Sequence, residues 1–212
     1  MSIIRLKTAA TVEPLSVADM KTQCNISHAG DDALLAAYIA AARQDGEALT
    51  NAAFVESTWE QVMEGFPAVT QSNPRAGISL LKHPVPAAAN VVSVSYLDTS
   101  GVRQTLTVTT HYQVVLEGGP LLATVYPAYG FSWPDTYDDP QAVVIEFKAG
   151  WPVVGEETST PENIKSWLKL RAAGLYEKRE DVEFGSGSLL VAPMPRSFAD
   201  RLLDRWTMVR NI

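Results

Sequence analysis

The sequence predicts an α+β protein: a small helical core of three main helices plus a C-terminal amphipathic segment, with an all-β insertion of about seven short strands. Apolar residues recur at helical steps from Asp31 to Leu49, and this period returns after Thr160. Between them lie short runs rich in Val, Ile, Thr and aromatics. We therefore expect a helical core of residues 1 to 53 and 158 to 184, a β-rich insertion of residues 54 to 157, and a flexible joint and docking tail of residues 185 to 212.

Two helices are expected before the insertion. Ser16 and Asp19 have the spacing of a capping box, which predicts a helix from Val17 to Cys24. Asp31 or Asp32 can cap the next helix. Its predicted buried stripe comprises Leu35, Tyr38, Ile39, Ala42 and Leu49. Alanines cover much of the remaining surface, so a neighbouring helix or subunit can approach closely.

The insertion is predicted to consist of strands joined by turns. The seven candidate strands are Thr58 to Met63, Ile78 to Leu81, Val91 to Leu97, Val102 to Val108, Tyr112 to Leu116, Leu121 to Val125 and Val143 to Phe147. Asp98 to Gly101 and Glu117 to Pro120 have the composition of hairpin tips.

The third helix and the tail follow the insertion. Thr160 suits a cap and Pro161 the first helical position, so a helix is expected to run to about Arg179 and to pack on the Asp31 to Leu49 helix. Beyond Gly185 to Ser188, which suits a flexible joint, a Trp-bearing segment can either dock on a partner or fold back on its own domain. The candidate docking residues are Arg196, Phe198, Arg201, Leu202, Arg205, Trp206 and Val209.

Composition limits the class of protein. The chain has 212 residues, 46% of them hydrophobic, and its single cysteine excludes an internal disulfide. Neither a bilayer-spanning apolar run nor a secretion signal is evident, so no membrane partner is expected. The net charge is −7: residues 1 to 159 carry 8 Lys+Arg against 17 Asp+Glu, while residues 160 to 212 carry 9 against 7. This balance argues against ordinary phosphate-neutralising DNA binding.

A search for chemistry predicts no catalytic, cofactor-binding or metal-binding residue, and hence no enzyme. His28, His83 and His111 lack the spacing of paired metal ligands and are interpreted as surface or hairpin-end residues. An acidic group at Asp135, Asp138 and Asp139 could supply oxygen ligands to calcium, or could decorate a solvated turn.

The same loop is rich in aromatic residues, which form a candidate partner-contact loop. They are Tyr126, Tyr129, Phe131, Trp133 and Tyr137. These rings can contact a carbohydrate or a protein partner, or they can simply cover the open end of the β insertion.

Taken in order, these segments resemble the head-tail connector, or adaptor, proteins of long-tailed bacteriophages and prophages. The matching residues are Glu13 to Lys21, Asp31 to Leu35, Ala40 to Arg43, Leu49 and Thr50, Thr58 to Glu60, Leu81 to Val85, Val91 to Asp98, Trp133 and Pro134, Phe147 to Trp151, and Pro161 through Tyr176 to Glu180. The large β insertion and the aromatic tail depart from the shorter members of the family.

The resemblance implies a structural virion protein at the head-tail interface, assembled in the host cytoplasm. It implies a homo-oligomeric ring of about twelve copies that joins the portal to a downstream neck or tail-terminator protein. Genomic DNA would pass through an acidic lumen without sequence-specific binding. Ala37 and Ala41 are then the candidate inter-subunit face. The alternative is a β-sandwich module on a helical stalk that recognises a glycan or a virion protein.

Overall fold

The computed structural model describes residues 2–117, 122–154, 157–177 and 199–207. Within these ranges there are three α-helices and ten strands, which confirms the predicted α+β class. The elements are β1 (Ser2–Thr8), α1 (Val17–Cys24), α2 (Asp32–Thr50), β2 (Ser57–Met63), β3 (Ile78–Ser79), β4 (Val91–Leu97), β5 (Arg103–Leu106), β6 (Tyr112–Glu117), β7 (Leu122–Pro127), β8 (Val143–Ala149), β9 (Val153–Val154), β10 (Glu157–Thr158) and α3 (Glu162–Glu177).

The chain divides into two compact units. The β unit comprises Met1–Thr11 and Val55–Val153, and the helical unit comprises Val12–Phe54 and Val154–Ile212. The predicted division had placed residues 1 to 11 with the helices. They lie in the β unit because β1 pairs antiparallel with β2 along its length, from Ser2 opposite Met63 to Thr8 opposite Thr58.

The β unit contains two antiparallel sheets. The larger has the strand order β1-β2-β8-β4-β5 and the smaller the order β3-β7-β6. One face of the larger sheet is fully buried at Gln61, Val94, Ile145 and Phe147. Its other face carries a ladder of charge in which Arg5 on β1 pairs with Glu60 on β2, and Lys7 pairs with both Glu60 and Glu146.

The predicted hairpin tip at Asp98 to Gly101 is confirmed. Asp98 Oδ1 accepts hydrogen bonds from the backbone N–H of Ser100 and of Val102, and Gly101 has a φ of +80°, which glycine tolerates without strain. The other predicted tip, Glu117 to Pro120, lies mostly outside the described residues.

The helical unit is held by apolar packing among α1, α2 and α3. The predicted capping box is present: the Ser16 hydroxyl accepts from the Asp19 N–H, and the Asp19 carboxylate accepts from the Ser16 N–H. The predicted side-chain cap of α2 is absent, because Asp31 instead accepts a hydrogen bond from the Tyr176 hydroxyl at 2.6 Å and Asp32 pairs with Lys21 at 2.9 Å.

The buried stripe of α2 differs from the prediction at its C-terminal end. Leu35, Ile39 and Ala42 are buried as expected, but the stripe continues through Gly46 and Thr50. Leu49 is 48% exposed and Tyr38 is only partly buried. Leu49 lies two turns after Ala42 on nearly the same helical stripe, so the helical period alone does not account for its exposure.

Candidate assembly surfaces

The outward side of α2 is almost free of charge and bulk. Ala33, Ala36 and Ala37 are exposed and Ala41 is half-buried, while Gln44 is the polar residue on the same side. Surface helices normally present charged side chains to water, so an alanine face of this length is unusual. The structure therefore leaves Ala37 and Ala41 accessible on the side of α2 opposite the core.

The inward side of α2 is fixed by a close approach to α3 at Gly46. A Cβ at this glycine would lie 2.5 Å from Cε2 of Phe54 and 2.9 Å from Cζ3 of Trp167. Both rings are buried, and the prediction that α2 packs on α3 is confirmed. An ion pair between Arg171 of α3 and Asp45 of α2 lies beside this contact.

A charged network secures α2 to the segments before and after it. Arg43 binds Glu13 through two hydrogen bonds, Nε to Oε2 at 2.7 Å and Nη2 to Oε1 at 3.1 Å, and also binds Glu47 at 3.0 Å. Burial lowers the pKa of the Arg43 guanidinium, but the two carboxylates outweigh it and raise that pKa above its ordinary value. Glu47 in turn accepts the backbone N–H of Phe54 at 2.7 Å.

Basic side chains in the described residues are mostly neutralised by the chain's own carboxylates. The ion-paired cations are Arg5, Lys7, Lys21, Arg43, Lys148, Lys165, Lys169 and Arg171. A surface that grips nucleic-acid phosphates needs cations that are free to displace counterions. Eight of the described cations therefore already have a carboxylate partner.

The candidate partner-contact loop is brought together only in part. Trp133 stacks on Phe66 with ring centroids 4.6 Å apart, and its indole N–H donates to the carbonyl oxygen of Ala76 at 2.7 Å. Phe131 packs against His111 and edge-on to Trp133. These two candidates contribute to internal packing of the β unit, as the covering interpretation predicts.

The other three candidates of that loop have different surroundings. Tyr129 is fully exposed, at 105% of its reference area, on a tight turn where Phe131 N–H donates to the Ala128 carbonyl and Gly130 has a φ of +77°. Tyr137 is also exposed. Tyr126 on β7 is partly buried, and Gly77 approaches its ring so closely that a Cβ there would clash.

The described part of the C-terminal segment, residues 199–207, lies against α3 within the helical unit. Asp200 accepts the indole N–H of Trp167 at 3.0 Å, and the carbonyl of Leu202 accepts from the Asn163 side chain at 2.8 Å. Instead of one helix there are two short 3₁₀ turns, Asp200–Leu202 and Asp204–Trp206. The buried side chains are Leu203 and Trp206, the latter 9% exposed.

The tail candidates therefore separate into three groups. Arg201 and Arg205 are exposed, and the Arg205 guanidinium lies over the Trp206 ring, 5.2 Å from its centroid. Leu202 is partly buried and Trp206 is buried in the helical unit. Arg196, Phe198 and Val209 lie outside the described residues, as does the Gly185 to Ser188 joint.

The structure corrects the interpretation of one histidine. His83 is 1% exposed in the β unit, so it is a core residue and not a surface or hairpin-end residue. His111 does lie at a turn, where its Nδ1 accepts the backbone N–H of Thr107 at 2.9 Å. Among the described residues no group of three His, Cys, Asp or Glu side chains is placed to hold a metal ion, and no helix is long and apolar enough to cross a membrane.

Comparison with protein families gives a match to the model of the phage gp6-like head-tail connector protein over residues 14–89. This range includes α1, α2, β2 and β3, and it contains Pro14 to Lys21 and Leu81 to Val85, two of the motifs that carry the resemblance. No curated protein matches the sequence.

Similar solved structures include three chains from a gene transfer agent (GTA) particle. They come from the neck of the empty particle computed with C6 symmetry (TM-score 0.72, 22% identity), the virion of the native particle (0.70, 22%) and the neck of the native particle computed with C12 symmetry (0.67, 23%). Each alignment covers 99% of this chain and 97% of the other. At this identity the likeness shows the fold, so both units have counterparts in the GTA chains. The resemblance to head-tail connectors is confirmed by the family match over residues 14–89.

Proposed function

We propose that this protein is a structural head-tail connector: it forms a ring in the neck of a phage-like particle and joins the portal to the next neck or tail component. The observation that carries the proposal is the combination of the connector match over residues 14–89 with a fold shared along nearly the whole chain with GTA neck and virion chains. We propose a non-enzymatic role, with assembly of the particle in the host cytoplasm.

The ring is proposed from the symmetry of the related particles, whose necks were computed with C6 and C12 symmetry. A ring of identical subunits needs two different faces on each subunit that fit one another. The alanine face of α2 supplies one such face, because Ala37 and Ala41 offer no bulk or charge that would oppose a close neighbour. About twelve copies are expected by analogy.

Passage of DNA through the ring is proposed from charge. The chain carries a net charge of −7, and most described cations are already paired with carboxylates. An acidic lumen with few free cations would let a polyanion slide without sequence-specific binding. The proposal predicts weak binding to duplex DNA even at low salt.

Docking on the portal is proposed for the C-terminal segment, with the contact assigned to its exposed residues and not to its buried ones. Trp206 is buried against its own unit, so using it as an anchor would require the segment to leave α3. Arg201 and Arg205 are exposed and can reach carboxylates of a partner directly. We therefore propose that these two arginines make the portal contact while Trp206 holds the segment in place.

The glycan-binding alternative is not favoured. One face of Trp133 is covered by Phe66, and its indole N–H is used by Ala76. A sugar-stacking site needs an open ring face. Tyr129 is more exposed than Tyr137 on this loop, and we propose it as a contact to another virion protein.

The assembly test is to mix the purified chain with the portal protein of the same particle, and to examine the product by light scattering and negative-stain electron microscopy. A ring seated on the portal is expected; absence of any complex at micromolar concentrations would refute the connector role. Ala37→Trp should reduce ring formation without unfolding the chain. Ala18→Trp, at an exposed alanine of α1, is the matched control and should assemble normally.

The docking test uses Arg201→Glu combined with Arg205→Glu. Because both side chains are exposed, the melting temperature should change little, while binding to the portal weakens. Lys165→Glu, a charge reversal on α3, controls for the general effect of added negative charge. Equal portal affinity for the doubly reversed variant and the parent would exclude the two arginines from the interface.

A further inference from the structure

The open edge of the smaller sheet has an unusual arrangement of side chains. β3 pairs with β7 on one side, with Ile78 opposite Val125 and Ser79 opposite Thr124, and Leu80 N–H donates to the Ala123 carbonyl. Backbone groups of successive strand residues point to opposite sides. The groups of residues 77, 79 and 81 therefore point away from β7, toward the edge where another strand could pair.

Two side-chain carboxamides occupy this edge. The Asn73 amide donates to the Gly77 carbonyl at 2.9 Å and accepts the Gly77 N–H at 2.8 Å. The Gln61 amide donates to the Ser79 carbonyl at 3.2 Å and accepts the Leu81 N–H at 2.9 Å. A carboxamide offers the same donor and acceptor as a peptide group. Each of these amides therefore makes the hydrogen bonds that a residue of an adjacent strand would make.

The space beside the edge is not filled by the fold itself. A cleft of about 450 Å³ lies there, and its lining includes Met63, Phe66, Pro67 and Ile78. An extended segment could lie in a cleft of this size with apolar side chains against these residues. The shape of the fold alone therefore does not keep another strand away from this edge. To prevent pairing, the backbone hydrogen-bonding groups of Gly77, Ser79 and Leu81 have to be occupied.

Gln61 is held in position by the larger sheet. It lies on β2 opposite Ile145 of β8, is 1% exposed, and its Nε2 also lies 3.3 Å from the Ser2 hydroxyl of β1. Asn73 belongs to the loop before β3, where its backbone N–H bonds Thr70. The two amides thus come from different parts of the β unit and converge on one edge.

We propose that Gln61 and Asn73 act as backbone surrogates that close the edge of β3 against pairing with a second copy of this chain. An open strand edge is a template for such pairing. Two copies joined antiparallel through β3 would form an isologous dimer, which differs from the heterologous contact of a ring. Closing this edge leaves association to other surfaces, and the inference holds whether or not the protein forms a ring.

The test compares Gln61→Met combined with Asn73→Ala, which removes both amides, with Gln113→Met, which alters an exposed glutamine of β6. Each is made in a chain carrying Cys24→Ala and Ser79→Cys, so that an antiparallel pair centred on residue 79 can be captured as a disulfide between copies. Hydrogen exchange of the Gly77 and Leu81 amides is followed in the same proteins.

Disulfide-linked dimers are expected for the double variant and not for the parent or the Gln113→Met control. At concentrations too low for dimers, exchange at Gly77 and Leu81 should accelerate roughly tenfold, because the hydrogen bonds that protect them are lost. A folded double variant that forms no more dimer than the control would overturn the proposal.

The single variant Asn73→Ala is the second test, to be used if the Gln61→Met change at a buried position prevents folding. Asn73 lies in a loop, so this variant is expected to fold and to expose the Gly77 end of the edge. It should give an intermediate dimer yield with faster exchange at Gly77 only. Unchanged exchange at Gly77 would show that the Asn73 amide does not close the edge, and would likewise overturn the proposal.

Discussion

Gly46→Ala should destabilise the helical unit, although helix propensity alone predicts the opposite. In an exposed helix interior, replacing Gly by Ala stabilises by about 1 kcal/mol. At Gly46, however, the new Cβ would lie 2.5 Å and about 3 Å from two atoms of the Phe54 ring and 2.9 Å from the Trp167 ring. Ordinary carbon contacts need about 3.5 to 4 Å, so the nearest ring atom must move by about 1 to 1.5 Å.

The magnitude follows from how little these rings can move. Phe54 is fully buried and Trp167 is 2% exposed, with its indole N–H bonded to Asp200. Overpacking of such a site costs roughly 1 to 3 kcal/mol. Subtracting the propensity gain of about 1 kcal/mol leaves a net loss of about 0 to 2 kcal/mol. A larger residue, as in Gly46→Val, should cost more, because the ring displacement grows while the propensity gain shrinks.

Urea unfolding followed by far-ultraviolet circular dichroism measures the effect, because the described helices all belong to the helical unit. Gln44→Ala compared with Gln44→Gly, at an exposed position of the same helix, gives the propensity difference where no ring is in contact. The reasoning is refuted if Gly46→Ala raises the free energy of unfolding by as much as the difference between the Gln44→Ala and Gln44→Gly variants. That outcome would mean that Phe54 and Trp167 do not restrict the site.

Three further outcomes are expected from the described contacts. The pKa of Asp19 lies below its ordinary value of 3.8, and the largest cause is the hydrogen bond from the Ser16 hydroxyl. The stability advantage of the parent over Asp19→Asn should therefore be complete above pH 3.8 and should vanish as the pH falls through the lowered pKa. Measuring the free energy of unfolding across the acid range would show this. Trp206→Ala should lower unfolding stability by about 3 to 5 kcal/mol, since the ring is largely buried; a loss below about 1 kcal/mol would show that its burial contributes little. Trp133→Ala should lower the melting temperature of the β unit, whereas Tyr129→Ala should leave it unchanged and affect only partner binding.

Local sequence signals were sufficient to predict the conformation where the groups that stabilise it are close along the chain. The start of α1 follows from Ser16 and Asp19, three residues apart, and the turn after β4 follows from Asp98 and Gly101. The alternating and β-branched runs likewise located most of the strands. In these cases hydrogen bonds and backbone preferences within a few residues decide the conformation.

The missed features depend on partners that are distant along the chain. β1 was not predicted as a strand, and it pairs with β2, which lies about fifty residues later and offers Glu60 to Arg5 and an edge to pair with. Likewise Asp31 was expected to cap α2, but Tyr176 of α3 binds its carboxylate. A single sequence cannot show which distant group will compete for a side chain.

The candidate surfaces show the same division. Sequence alone determined the α+β class, the three helices, most of the strands, the acidic balance and the resemblance to head-tail connectors. Tertiary structure alone decided that Trp206 is buried and Trp133 partly buried, that Tyr129, Arg201 and Arg205 are exposed, and that Gln61 and Asn73 meet at one strand edge. The physical reason is that residue type and spacing set local conformation, whereas exposure depends on which distant segments pack against a side chain.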